Sequence, residues 1–403
     1  MLLLGGMLVC DLTQFYSPVG GGVRRYLSEK AKYLSAQGDQ HLLIVPGERT
    51  ERREEGAEIL WTIKSPLISR QARYRILLHG ALMEKILEQE RPDLIESADP
   101  YQVAWRALAA GRRLGIPVVA CYHSHFPSII LQFFTKYVGA LGTSMAEGLL
   151  RGYVTSLYNQ FALTTVPNPQ LRAELECWGV KNTVTLEFGV DTAQFSPDRR
   201  RGAALRKKLA LEDSKKILLY VGRLAPEKNI RTLLGAFEQL HQMHPDQYHL
   251  IVLGDGTLRG SVQQLQKKTQ AITWHSYSQS SQELADFYRA ADLFVHPGVE
   301  ETFGLVTLES QACGTPVLAI EGTAMNRLLV TTAPYGAKEN SPQALCKAIE
   351  DFFTLHWQER GVEIAAFVKT HYHWEHVFSK LFSLYRYVLA SHLPLAGHSH
   401  SSL

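Results

Sequence analysis

The stretch that decides the fold runs from residue 293 to residue 320 and reads LFVHPGVEETFGLVTLESQACGTPVLAI. It opens with a short apolar run typical of a buried strand, which a Pro-Gly pair ends. Thr302 is placed to cap a helix that begins at Phe303, and Gly314 lies where a left-handed C-terminal cap belongs. A second apolar run follows. The pattern predicts strand, loop, helix and strand, the repeating unit of a parallel sheet wrapped by helices.

The same alternation of apolar runs and amphipathic stretches occurs twice along the 403 residues, which predicts an α/β protein with two domains. The segment 195–215 is polar and basic, so we place the linker there. The predicted divisions are residues 1–200, residues 201–370, a last helix over 371–391 and a tail over 392–403. The predicted strands are Met7–Leu12, His41–Pro46, Glu58–Ile63, Leu94–Glu96, Pro117–Tyr122, Leu163–Val166, Val184–Phe188, Ile217–Val221, His249–Leu253, Ala271–Trp274, Leu293–His296 and Pro316–Ala319.

The helix start at Phe303 is predicted to bind an anion. Its first amides, from Phe303 to Leu305, lack partners within the helix and carry the positive end of the helix dipole, and Gly304 has no side chain to block a phosphate. Glu309, roughly two turns along, can accept hydrogen bonds from vicinal hydroxyls such as those of a ribose, and Glu301 addresses another hydroxylated part of the ligand. These features describe a nucleotide-sugar site. The alternative is that both glutamates are solvated surface carboxylates.

The stretch EETFGLVTLESQACGTPVLA closely resembles the E-x7-E signature of the retaining GT-B glycosyltransferases of family 4, with Glu301 and Glu309 as its two glutamates. The resemblance extends over nearly the whole chain. It implies the GT-B fold, in which two Rossmann-like domains face a cleft and a C-terminal helix crosses back to the first domain. It also implies a nucleotide-sugar donor, retention of the anomeric configuration, and no need for a metal or other cofactor.

Two cations follow the strand that begins the second half. The sequence YVGRLAPEKNI resembles the family's G-R-x-x-x-E-K motif and presents Arg223 and Lys228 after the turn at Gly222. Such a pair can neutralise a diphosphate leaving group without a metal, although a solvated basic loop is the alternative. The sequence LGDGTLR resembles the glycine turn below the nucleotide base, where Gly254 serves backbone geometry.

The first half carries the acceptor-side candidates. Three glycines, of which Gly21 and Gly22 are candidate donor contacts, precede a helix, and Arg24 either holds an anionic acceptor or is solvated. The sequence CYHSHFPS puts two histidines just after a strand, where open α/β sheets bind ligands. It resembles the histidine loop of family members that glycosylate lipids, which implies that His123 lies at the reaction centre. His125 and Asp191 are acceptor-side candidates, with hydrogen bonds to nearby carbonyls and a capping role as their respective alternatives.

Composition limits the other possibilities. The net charge of +3 is too small for a dedicated nucleic-acid binder. Five cysteines without a CxxC pair favour reduced thiols used for packing in a cytoplasmic protein. No window of about 18 uncharged apolar residues predicts a membrane span. The C-terminal His-Ser-His is a weak metal motif in a tail expected to be disordered.

The acceptor is suggested by the apolar segment 126–161, in which the charged residues are Lys136, Glu147 and Arg151. With the basic clusters 199–201 and 206–208, it indicates a peripheral enzyme on the anionic inner face of the cytoplasmic membrane. Core packing plus a solvated linker is the alternative.

The predicted function is therefore transfer of a hexose from a UDP- or GDP-linked sugar to a hydroxyl of a lipid, glycolipid or polyprenyl-linked acceptor. Three alternatives stay open: a soluble sugar or polysaccharide acceptor, a nucleotide-sugar epimerase on the same fold, and a non-catalytic scaffold. The base, the sugar and the linkage also remain open. No catalytic base is assigned.

Overall fold

The computed structural model describes residues 6–14, 16, 21–68, 74–137, 139–278, 280–330, 336–355 and 360–392. The chain divides into two compact units, which we call unit 1 (Met1–Glu187 and Val377–Leu403) and unit 2 (Phe188–His376). The tail motif and the first glycine of the N-terminal run lie outside the described residues.

Unit 1 is built on an eight-stranded sheet in the order β3-β4-β2-β1-β5-β6-β7-β8. Its strands are β1 Leu8–Leu12, β2 Gln40–Gly47, β3 Glu51–Glu55, β4 Glu58–Lys64, β5 Leu94–Ser97, β6 Val118–Cys121, β7 Thr164–Val166 and β8 Thr183–Thr185. The helices that precede the boundary are α1 Gly22–Gln37, α2 Gly80–Glu90, α3 Gln102–Leu114, α4 Phe126–Tyr137, α5 Gly139–Tyr158 and α6 Pro169–Cys177.

Among the described residues of unit 1, the strand pairs are parallel except that of β3 with β4. Strands β1, β5 and β6 are buried almost throughout, as expected of parallel strands covered on both faces. The sequence pattern missed β3 because its residues, ERREE, are all charged and mostly exposed. It lies at the sheet edge, where charge discourages pairing with another chain.

Unit 2 is built on a six-stranded parallel sheet in the order β11-β10-β9-β12-β13-β14. Its strands are β9 Lys216–Val221, β10 Tyr248–Leu253, β11 Ile272–His275, β12 Leu293–His296, β13 Val317–Ile320 and β14 Gly336–Ala337. The remaining helices are α7 Arg199–Lys208, α8 Ile230–Met243, α9 Arg259–Thr269, α10 Ser281–Ala290, α11 Leu305–Ala312, α12 Ala324–Arg327, α13 Pro342–Thr354, α14 Gly361–Tyr372 and α15 Trp374–His392, with a 3-10 turn at Pro226–Lys228.

The prediction that a helix begins at Phe303 with Thr302 as its cap is wrong. Helix α11 begins at Leu305, and its N-cap is Gly304 with a left-handed φ of 89°. The physical reason is the side chain of Phe303, which is buried in the core with its ring centroid 5.2 Å from that of Phe188. The chain therefore turns inward before the helix starts.

The units part at residue 187 rather than at the predicted residue 200. Phe195, within the predicted linker, packs in the core of unit 2. Arg201 and Arg206 of α7 form ion pairs with Asp286 at 2.8 Å and with Asp292 at 2.7 Å. The polar, basic segment is therefore part of unit 2, and two of its arginines have partners there.

The chain re-enters unit 1 at Val377, within α15, as the resemblance implied. Helix α14 ends at Tyr372, and the extended His373 separates it from α15, so the predicted single element over 371–391 starts instead at Trp374. Among the helices of the described ranges, none is both long and apolar enough to cross a membrane. Cys177 is exposed, contrary to the prediction that all five cysteines pack inside.

Candidate active site

The candidate site of unit 2 lies at the carboxyl ends of β9 and β12. Strand β9 pairs with β10 on one side and with β12 on the other. The order of the strands reverses at this point of the sheet, and open α/β sheets bind ligands in the crevice that results. The two connections that leave β9 and β12 carry the predicted residues of the motif.

Lys228 and Glu301 join these two connections. The Nζ atom of Lys228, at the end of the 3-10 turn, lies 2.5 Å from Oε1 of Glu301. Both side chains are only partly exposed. The predicted cation and the predicted first glutamate are therefore direct partners.

His296, the last residue of β12, is a third member of this group. Its Nε2 atom lies 3.7 Å from Oε1 of Glu301, and the residue is buried. Burial by itself would raise the pKa of Glu301, but attraction to the protonated form of His296 and to Lys228 outweighs it and lowers that pKa. Burial lowers the pKa of His296. Sequence reasoning missed His296, although a histidine that ends a buried strand at the ligand edge was the available signal.

Arg223 lies in the same connection but is far more accessible. Its side chain is 60% exposed and pairs with Glu227 at 3.1 Å. The hydroxyl of Tyr220 donates to the carbonyl oxygen of Arg223 at 2.9 Å, which holds the backbone while the guanidinium extends outward. Arg223 can therefore exchange its exposed ion pair for another anion at little structural cost.

The predicted glycines Gly222 and Gly254 bring two connections into backbone contact. A Cβ atom on Gly254 would lie 1.9 Å from the carbonyl oxygen of Gly222. Gly222 donates to Leu253 O at 3.0 Å, and Gly254 donates to His275 O at 3.0 Å. The glycine at position 254 thus serves the backbone geometry, as the sequence predicted.

The residues at the start of α11 differ from the expected anion site. Phe303 points into the core, so the N-terminus of the helix, where an anion could bind, falls at Gly304 and Leu305. Glu309 is only 1% exposed, and the hydroxyl of Tyr288 donates to its Oε2 at 3.1 Å. Contact between Glu309 and a ribose therefore requires that the groups covering it move aside.

In unit 1, His123 follows the carboxyl end of β6, as predicted. Its side chain is half-buried. Burial is the largest influence on it and lowers its pKa, against the opposing effect of the carbonyls of Cys121 and Ala98. The imidazole therefore favours the neutral form at neutral pH.

Asp99, in unit 1, is a further residue that sequence reasoning missed. It follows β5, and its Oδ2 accepts a 2.5 Å hydrogen bond from the amide of Gln14, which follows β1. Its Oδ1 has no partner among the described residues. Burial raises the pKa of Asp99 to about 7, despite opposing hydrogen bonds from Gln14 and Thr13. The signal was a carboxylate directly after the strand LIES, at the ligand edge of the sheet.

The other acceptor-side candidates have local partners. His125 directly precedes α4. Its Nδ1 is 3.0 Å from the hydroxyl of Tyr122, and its Nε2 is 3.6 Å from Glu174 of α6. Asp191 caps a turn through two 3.0 Å hydrogen bonds from the amides of Ala193 and Gln194. The geometry therefore favours a capping role for Asp191.

The start of α1 agrees with the predicted glycine turn. Gly21 is the N-cap with a φ of 115°, and Gly22 is the first helical residue. Arg24 is exposed on that helix. Within the described ranges, no group of three or more His, Cys, Asp or Glu side chains is arranged to hold a metal ion.

The chain matches two family models. The model for Glycosyl transferases group 1 matches residues 203–361, and the model for Glycosyltransferase Family 4 matches residues 20–194. Among solved structures, the sucrose-phosphate synthase of Thermosynechococcus elongatus aligns with a TM-score of 0.75 at 21% identity, covering 96% of this chain and 100% of that one. At this identity the likeness shows the fold alone, which is GT-B.

Two relatives are similar over most of their length. The GDP-mannose-dependent alpha-(1-6)-phosphatidylinositol dimannoside mannosyltransferase of Mycobacterium tuberculosis is 30% identical over 348 residues, which are 85% of this chain and 87% of that protein. The GDP-mannose-dependent alpha-mannosyltransferase of Corynebacterium glutamicum is 29% identical, covering 79% of this chain and 73% of that protein.

Proposed function

Because this chain belongs to the glycosyltransferases of group 1 and family 4, we propose that it transfers a hexose from a nucleotide diphosphate sugar to a hydroxyl of a lipid-linked acceptor, with retention of configuration. The observation that carries the proposal is the contact between Lys228 and Glu301 across the point where the strand order of unit 2 reverses. A cation and a carboxylate at this point match the two parts of the donor, its diphosphate and its sugar hydroxyls.

The two cations stabilise the departing nucleotide diphosphate. Negative charge builds on the leaving phosphate as the glycosidic bond breaks, so Arg223 and Lys228 bind the transition state more strongly than the ground state. Glu301 accepts hydrogen bonds from the donor sugar, and Glu309 does so from the ribose once it is uncovered. This chemistry needs no metal ion.

The donor that we expect is GDP-mannose. The names of both relatives specify GDP-mannose, and each relative covers at least 79% of this chain. The name of the mycobacterial relative also specifies a phosphatidylinositol glycolipid as its acceptor. We therefore expect the acceptor hydroxyl to belong to a glycolipid, with His123 beside it.

A lipid acceptor requires that the enzyme reaches a membrane surface. Met145 and Leu149 of α5 are 69% and 76% exposed, and they lie four positions apart on one helix face. Other parts of the apolar segment, such as Val154 and Leu157, are buried in the core of unit 1. We propose that the exposed face of α5 contacts the cytoplasmic leaflet, whereas the basic residues of α7 belong to unit 2.

Calorimetric titration with GDP and UDP in EDTA tests the donor site. We expect GDP to bind, and we expect Glu309→Ala to weaken that binding. Incubation with radiolabelled GDP-mannose and phosphatidylinositol mannosides then tests transfer, and NMR of the product gives its anomeric configuration. If neither GDP nor UDP binds, the proposal is contradicted. If the enzyme releases an altered nucleotide sugar without any acceptor, the epimerase is favoured.

A further inference from the structure

Three ionisable side chains of unit 2 meet at one carboxylate oxygen. Oε1 of Glu301 lies 2.5 Å from Nζ of Lys228 and 3.7 Å from Nε2 of His296. The first distance is a charge-assisted hydrogen bond, and the second exceeds hydrogen-bond length. In this state the lysine supplies the positive charge that Glu301 needs, and the histidine is a close neighbour without a direct bond.

Binding of the donor changes the charge balance at this point. A diphosphate diester brings about two negative charges, and Lys228 must share its ammonium with them. Arg223 contributes one positive charge but gives up its contact with Glu227 in doing so. The ion pair between Lys228 and Glu301 therefore weakens when the donor binds. At the same moment, the donor sugar needs the carboxylate of Glu301 to be held in place.

We propose that His296 takes up a proton from solvent when the diphosphate of a nucleotide sugar binds beside Lys228, and that the resulting imidazolium holds Glu301 in position. The inference rests on the proposed function, because it assumes that Lys228 binds the donor phosphates. His296 is a positioning residue, since it acts on the donor sugar through Glu301. Protonation turns the 3.7 Å approach into a charge-assisted hydrogen bond.

Some of the groups that act on His296 oppose its protonation and others favour it. Burial lowers its pKa, Glu301 raises it, and Lys228 lowers it, while the carbonyls of His296 and Gly298 raise it. Arg223 acts on Glu301 from the connection after β9. Added phosphate charge and a weaker hold of Lys228 on Glu301 both favour the imidazolium, so the pKa of His296 rises on binding.

The experiment measures proton uptake by calorimetry. GDP-mannose and UDP-glucose are titrated into the protein at neutral pH in buffers of different ionisation enthalpy, from which the number of protons bound is obtained. Intact nucleotide sugars are used because their phosphates lack the second ionisation of a terminal phosphate. We expect uptake of up to about one proton per bound nucleotide sugar in the wild type. We expect His296→Gln to bind the sugar nucleotide with little or no uptake.

His249→Gln is the matched control. His249 is also buried in unit 2, near the amino end of β10. Burial lowers its pKa to about 4, and its Nε2 lies 2.8 Å from the hydroxyl of Thr273. We expect this variant to keep the wild-type proton uptake. If circular dichroism shows that His296→Gln is not folded, Glu301→Gln tests the same step. We expect this variant to take up fewer protons than the wild type, because the imidazolium then has no carboxylate to hold.

The outcomes separate the two proposals. If neither nucleotide sugar binds, the proposed function fails. If one binds and the proton uptake is the same in wild type and His296→Gln, the proposed function stands and the role of His296 is overturned.

Discussion

The buried ammonium of Lys30 donates a 2.8 Å hydrogen bond to the hydroxyl of Tyr385, 355 positions further along the chain. Asp11 Oδ1 accepts from the same ammonium at 2.9 Å, and the Tyr385 hydroxyl donates to Glu96. All four side chains are buried in unit 1. The last helix is therefore held in unit 1 by a network of charged hydrogen bonds as well as by apolar packing.

Removal of the Tyr385 hydroxyl should destabilise unit 1. Tyr385→Phe keeps the ring but leaves Lys30 and Glu96 each without one partner, which should lower the free energy of unfolding by about 1–3 kcal/mol. Urea denaturation followed by circular dichroism measures the change. Tyr387→Phe is the control, because Tyr387 is 71% exposed. Equal stability of the two variants would contradict a role for the network.

Asp99 should make stability depend on pH. Its pKa in the folded protein is about 7, raised by burial from 3.8. The unfolded chain therefore releases its proton first, so the contribution of Asp99 is fully present below about pH 4 and is lost as the pH rises through about 7. Asp99→Asn keeps an acceptor for the Gln14 amide but cannot ionise. The stability of this variant relative to wild type should increase with pH, by at most about 1.4 kcal/mol per pH unit.

Thermal or urea unfolding of both proteins between pH 5 and pH 8, in the range where the pKa of Asp99 falls, gives this difference. A difference that does not change with pH would mean that Asp99 is ionised throughout.

Loss of Lys228 should reduce activity far more than loss of another lysine that lies at the same distance from a glutamate. Lys228→Ala should weaken donor binding or turnover roughly ten- to a hundredfold, because it removes the charged hydrogen bond that we propose Lys228 donates to the leaving phosphate. Lys268 of α9 also lies 2.5 Å from a glutamate, Glu238, but at the surface. Initial rates of both alanine variants with GDP-mannose make the comparison. Wild-type rates for Lys228→Ala would remove it from the site.

Gly254→Ala should separate the connections that follow β9 and β10. The new Cβ atom would meet the Gly222 carbonyl oxygen at 1.9 Å, and the φ of 150° at Gly254 adds strain for any other residue. We expect loss of nucleotide binding and a lower melting temperature. Gly260→Ala in α9 is the control, because its Cβ meets nothing within 4 Å and alanine favours a helix.

Membrane contact should depend on the exposed face of α5. In flotation with anionic vesicles at low salt, the wild type should rise with the vesicles, and the double variant Met145→Ser and Leu149→Ser should remain at the bottom. Vesicles of phosphatidylcholine alone test the need for anionic lipid. Met243→Ser, on a half-exposed apolar side chain of unit 2, is the control. Failure of the wild type to float would contradict membrane contact.

Local patterns predicted most of the fold. Strand β12 begins and ends at the predicted residues, and the other predicted strands were found within a few residues. The alternation of buried runs and amphipathic helices is a local property, because each element must bury one face whatever its neighbours are. The two-residue strand β14 and the charged strand β3 were missed, since neither contains a run or alternation of apolar residues.

The site was only partly predictable. The motif identified Lys228 and Glu301, but their contact joins positions that are 73 residues apart. Similarly, the hydrogen bond of Asp99 with the Gln14 amide spans 85 positions. No local period encodes such pairs.

By itself the sequence determined the α/β class, the sheet-forming segments and the two charged residues that meet at the ligand edge of unit 2. Only the tertiary structure decided that α11 starts at Leu305, that His296 stands beside Glu301, and that Lys30 is buried against Tyr385. The physical reason is that hydrophobic periodicity is set by neighbours along the chain. The placement of a buried charge instead depends on which distant partner compensates the loss of its water.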